Sequence, residues 1–110
     1  MSLIHIVMFT FEPTATKDEI KTVCDDLLAM KERCINPHTG ENYVTMGMGG
    51  IQNSPEGLDG GMTHIFISGF QTWADRKYYL EEDPVHLDFV QSLVGIVAKV
   101  QVVDFSPGNF

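Results

Sequence analysis

Positive charge is scarce in this chain: seven lysines and arginines stand against fifteen aspartates and glutamates, a net charge of −8. Without a basic stripe nothing releases counterions from phosphates, so nucleic acid and anionic membrane surfaces are not expected partners. Long apolar runs are also missing. None approaches the ~20 residues that a membrane span needs, and no basic segment leads into a signal-like apolar run at the N-terminus. A cytoplasmic protein is the default expectation. Cysteine is limited to Cys24 and Cys34. On one expected helix they would lie ~15 Å apart along its axis, too far for a disulfide. No CxxC or Cys/His spacing points to zinc, so no metal site is expected.

What remains is an ordinary globular composition, 44% hydrophobic and 20% charged over 110 residues, which excludes disorder and allows one modest core. A single domain over 1–110 is expected. Leu3 to Phe11 alternates and is rich in β-branched and aromatic residues, which predicts a first strand. Thr16 with Glu19 has capping-box spacing, and Ile20, Val23, Cys24, Leu27 and Leu28 follow at helical intervals, predicting a helix that ends near Arg33. Tyr43 to Met48 reads as a second strand. Gly49-Gly50 through Gly60-Gly61 reads as a long flexible excursion, such as a lid or dimer arm. Met62 to Phe70 reads as a third strand and Thr72 to Leu80 as a short helix. Asp83-Pro84 opens another, with His86, Phe89, Val90, Leu93 and Val97 on one face. Lys99 to Phe105 is the last strand.

The order βαββαβ is that of an α+β ferredoxin-like unit, an antiparallel sheet with helices on one face. Its strands are apolar on both faces, so the face without helices needs a cover, and a second copy is the simplest one. A homodimer is therefore expected.

Three of the four histidines, His5, His64 and His86, stand inside otherwise apolar runs, whereas His38 lies in a turn. Alternation on the strands and periodicity on the helix let all three meet in one sheet–helix gap, walled by Phe66, Phe70, Phe89, Leu93 and Val97. Histidine titrates nearest neutrality, so such a cluster is a candidate proton-handling site. Satisfied core histidines are the plainer alternative, and the aromatic cluster of Trp73, Tyr78 and Tyr79 is equally explained by packing.

The runs His5-Ile6-Val7-Met8-Phe9-Thr10-Phe11, Thr63-His64-Ile65-Phe66, Tyr79 leading to Asp83-Pro84-Val85-His86, and Val102-Val103-Asp104-Phe105 resemble the stress-responsive A/B barrel domain family across nearly the whole chain. The segments Asp83 to Phe89 and Val103 to Gly108 look most like fungal members. The resemblance implies a dimeric α+β barrel. The family includes plant proteins linked to stress or antifungal defence, and olivetolic acid cyclase, which closes a linear polyketide by an intramolecular aldol reaction. In that enzyme the pocket lies between sheet and helices of each subunit.

Carried over by position, the resemblance implies His86 and Tyr79 as the catalytic pair, or Tyr78 if the one extra residue here falls earlier. His5 and His64 would line the pocket. The full expected substrate-binding set is His5, His64, Val7, Phe9, Val23, Leu27, Phe66, Phe89, Leu93, Val100 and Val102. Two departures stand out: Asp83 replaces the cyclase's histidine before proline, and the glycine-rich loop at 47–61 is longer. No cofactor is implied. Two functions follow as expectations: a cofactor-free polyketide cyclase or lyase acting on a small, apolar, polyketide-like ligand, or a non-enzymatic stress-response or ligand-binding homodimer. A haem-handling protein is a third class that nothing in the sequence favours.

Overall fold

The alternation of the first run sets the architecture. In the computed structural model, which describes residues 2–110, Leu3–Phe11 forms strand β1. Its positions Leu3, His5 and Phe9 are buried, while Ile4, Ile6 and Met8 stay partly exposed. Helix α1 (Lys17–Leu28) begins at the expected capping box. The Glu19 N–H donates to Thr16 Oγ1 at 3.1 Å, and the Thr16 N–H donates to the Glu19 carboxylate at 2.9 Å. Its apolar stripe buries Val23 and Leu27.

The expected run of this helix to Arg33 is interrupted. Ala29, with ψ −6°, flattens the turn, and a short helix α2 (Met30–Arg33) follows. Cys34 therefore caps α2 instead of lying inside one long helix, and both cysteines are free thiols. Burial, with Asp83 adding to it, pushes the Cys34 thiol up to about 12, so it stays protonated and inert.

Strand β2 is Met46–Ile51, shifted from the expected Tyr43–Met48. Gly49 and Gly50, which read as loop, are strand residues here, and for Gly49 the reason is packing. A Cβ on Gly49 would lie 2.6 Å from the Ile65 carbonyl oxygen and collide with the Phe66 ring. The strand thus needs glycine where it crosses that ring. Tyr43 and Val44 are buried in irregular backbone instead.

The remaining excursion is tied by its own polar groups. Gln52 Nε2 donates to Asp59 at 2.9 Å, the Gly61 N–H to Asp59 at 2.7 Å, and Thr10 Oγ1 to the Gly61 carbonyl at 2.6 Å. Strand β3 (His64–Phe70), helix α3 (Trp73–Glu81, capped by Thr72), helix α4 (Pro84–Ser92, capped by Asp83) and strand β4 (Val97–Phe105) complete the chain. Because α4 stops at Ser92, Val97 opens β4 rather than extending the helix face.

The sheet runs β2-β3-β1-β4, antiparallel throughout. This is the ferredoxin-like βαββαβ order, with each helical region doubled. The core lies between the sheet and the helices. Leu3, Phe9, Phe66 and Phe70 from the strands meet Val23, Leu27, Met30, Tyr79 and Phe89 from the helices. The opposite face carries an apolar row, because Met48, Ile67, Ile6 and Val103 are successive partners across all four strands. Among the described residues no helix is long and apolar enough to cross a membrane.

Candidate functional site

His5 stands on β1 with its side chain toward the helices, between Ser68 of β3 and Asp104 of β4 as cross-strand partners. Register alone brings Asp104 beside it: His5 Nδ1 lies 2.7 Å from Asp104 Oδ1. Carboxylate oxygens accept, so Nδ1 is the donor. Arg76 of α3 donates to the other Asp104 oxygen at 3.1 Å while its guanidinium lies 4.7 Å over the Trp73 ring. A chain of three groups, Arg76, Asp104 and His5, thus orients one imidazole.

Tyr79 and His86 come from the two helices on either side of Asp83. Their rings stack with centroids 3.9 Å apart and an interplanar angle of 27°. The Tyr79 ring also meets His5 edge-on at 6.1 Å and Phe70 at 5.1 Å. Tyr79 is only 1% exposed. Burial above all, with Cys34 and Asp83 nearby, raises its phenol well above the ordinary value, so it remains a hydrogen-bond donor. Burial lowers His86, and the nearby His5 adds to this; the Tyr79 backbone and Asp83 oppose it. The imidazole is therefore neutral at pH 7. Its Nδ1 is buried and has no hydrogen-bond partner.

His5, Tyr79, His86 and Asp104 line a cavity of about 430 Å³ whose other lining is apolar: Val7, Phe9, Leu27, Leu80, Phe89, Val90, Leu93, Val100 and Val102. That volume lies within the ~300–1,000 Å³ range of small-molecule sites. The two candidate tyrosines lie in different surroundings. Tyr79 lines the cavity, whereas Tyr78 packs edge-on against Tyr43, with ring centroids 5.6 Å apart.

Three residues expected in the lining are elsewhere. His64 shares the helix-facing side of the sheet but pairs with Phe9, not His5, and its ring abuts Phe11 at 4.8 Å. Its Nδ1 lies 2.8 Å from Thr63 Oγ1. Phe66 is buried beneath Phe9, ring to ring at 5.9 Å, and Val23 borders a separate surface groove with Ser92 and Ile96. Of the expected walls, Phe70 and Val97 pack in or against the core rather than along the cavity. Conversely, Asp104, Arg76, Leu80 and Val90 were not expected. The signal for Asp104 was alternation, which sets it on the same side as Val100 and Val102. Among the described residues no three His, Cys, Asp or Glu side chains group as metal ligands.

No curated protein matches the sequence. Solved structures do match the fold. A protein of Arabidopsis thaliana, At3g17210, aligns over 98% of this chain and 97% of its own at 24% identity and TM-score 0.82. The hydroxynitrile lyase of Passiflora edulis aligns over 99% and 96% at 19% identity and TM-score 0.83. A dimeric ferredoxin-like protein of Jannaschia sp. aligns over 96% and 99% at 21% identity and TM-score 0.76. At such identities the likeness carries the fold alone. The sequence carries more: residues 3–107 match the family model of the stress responsive A/B barrel domain, and the chain belongs to that family.

Proposed function

We propose that residues 1–110 act as one domain, pair with a second copy, and hold a small, mostly apolar carbonyl compound on which His86 and Tyr79 perform cofactor-free acid–base chemistry. The observation that supports this reading is the Tyr79–His86 stack, with both side chains lining a largely apolar cavity.

The two side chains suit different halves of one reaction. Neutral His86 takes a proton from a carbon flanked by carbonyls. The resulting enolate forms a carbon–carbon bond to a second carbonyl carbon of the same chain, and that oxygen becomes an alkoxide. The Tyr79 hydroxyl gives the alkoxide its proton, and the imidazolium of His86 returns a proton to the tyrosine. This is the aldol closure of a polyketide-type chain. In the bond-breaking direction the same pair takes a hydroxyl proton and protonates the departing carbanion, the direction in which a lyase such as the Passiflora neighbour works. Pairing with a second copy is supported by the uncovered apolar row on the sheet and by the dimeric solved neighbours.

The test is to incubate wild type and His86→Ala with reactive poly-β-ketone intermediates and resolve the products. Wild type is expected to direct cyclisation, and the variant to lose roughly 10²-fold or more of that rate. Equal product distributions overturn the catalytic reading. Saturable binding without turnover by wild type would leave a ligand-binding dimer in its place.

A further inference from the structure

Among the described residues Asp83 is the one buried carboxylate, 1% exposed. A charge so placed is costly unless both its oxygens are bonded. Both are. Oδ1 accepts the Val85 N–H at 2.9 Å, which is the helix cap, and Oδ2 accepts the Tyr43 hydroxyl. The backbone of Asp83 is equally engaged: its N–H donates to the Tyr78 carbonyl at 2.9 Å, and its carbonyl accepts the Leu87 N–H at 2.9 Å. Tyr78 precedes Tyr79, and Leu87 follows His86. One residue therefore ties together the end of α3, the start of α4 and the segment leading to β2.

A cap needs only one acceptor oxygen, which asparagine, serine or threonine supplies without a buried charge. The second oxygen, the phenol that anchors it and the full negative charge are what capping leaves unexplained. His86 occupies the third position of the capped helix. The titratable groups that face it are Tyr79 from α3, His5 from β1 with Asp104 of β4 behind it, and Asp83 itself.

We infer that Asp83 is a positioning residue for the His86/Tyr79 pair: held by Tyr43, it locks the α3–α4 corner in which the two rings stack, and its charge favours the cation that forms on His86 when that imidazole takes a proton. The inference rests on the proposed chemistry for its purpose, but not for its test. The direction in which Asp83 acts on His86, opposing the effect of burial, agrees with it.

The experiment follows the His86 ring protons by NMR through a pH titration, without substrate, in wild type, Asp83→Asn and Tyr43→Phe. Asparagine keeps an oxygen for the Val85 N–H and removes only the charge. The His86 titration midpoint is expected to move to lower pH in Asp83→Asn while the thermal midpoint stays close to wild type. Tyr43→Phe keeps the carboxylate and removes its anchor. There the upfield shift that the Tyr79 ring imposes on the His86 protons is expected to weaken. If both variants keep the wild-type titration and ring-current shift, Asp83 is a helix cap alone and the inference falls. If Asp83→Asn does not fold, an unchanged ring-current shift in Tyr43→Phe overturns it equally. A failed cyclisation assay touches neither readout, so the two readings fail separately.

Discussion

The rings of Tyr79 and His86 lie almost parallel, 3.9 Å apart, although a helix end, a cap and a helix start separate them in the chain. Stacking places the phenol and the imidazole together in the cavity lining with opposite tendencies. Burial keeps the phenol protonated and the imidazole neutral. Donor and base are thus set by one apolar environment acting on two kinds of group.

The phenol is separable from the ring. Tyr79→Phe preserves the stack and the packing against Phe70 and removes only the hydroxyl. Turnover of a poly-β-ketone is expected to fall by about 10²-fold or more, with KM and the unfolding midpoint little changed. Wild-type turnover in Tyr79→Phe would strip the hydroxyl of its role.

Stability depends on pH through the same burial. His86 sits below its ordinary value of 6.5 in the fold, so below that pH the unfolded chain binds more protons than the native one. The stabilisation is complete above 6.5 and is lost as pH falls through the folded value. His64, lowered by burial, has the same sign. The urea midpoint is expected to drop from pH 7 to pH 5, and His86→Leu to drop less steeply. Parallel slopes in the two proteins would contradict this.

Gly49 is expected to tolerate no side chain. Gly49→Ala forces a methyl group against Phe66 and the Ile65 carbonyl, a clash worth about 1–3 kcal/mol of overpacking. Phe66→Leu in the same chain makes room and recovers part of that loss, a coupling that urea unfolding of the four variants measures. Strictly additive losses would show that the two sites do not interact.

The apolar row across the open sheet face is expected to be an interface. Wild type should scatter light at about twice the 12.3 kDa of one chain. Val103→Glu places a charge in the row at a site already 45% exposed and should give a folded monomer. A wild-type monomer at micromolar concentration would refute the pairing.

Local chemistry was legible in the sequence wherever it is short-ranged. The Thr16/Glu19 box, the Asp83-Pro84 start and the alternation of β1 each form as their residues dictate. Position along a strand is different. Alternation told which side His64 faces, but pairing opposite Phe9 puts it four residues from the level of His5, about 13 Å at ~3.3 Å per residue. Asp104 was hidden for the converse reason, since only the β1–β4 register brings it to His5. Strand β2 differs from its expected span because glycine marks both turns and close approaches, and Gly49 does the second.

His5 and Asp104 are 99 positions apart in the chain, yet they share one hydrogen bond. The cavity's outer wall, Val100 and Val102, belongs to that same last strand. On a ribosome, β1, both helical regions and two further strands emerge before β4 does, and closing so long a loop is entropically slow. The nascent chain therefore acquires its helices long before it has a pocket. Ligand binding can begin only once the final strand has been added at the edge of β1.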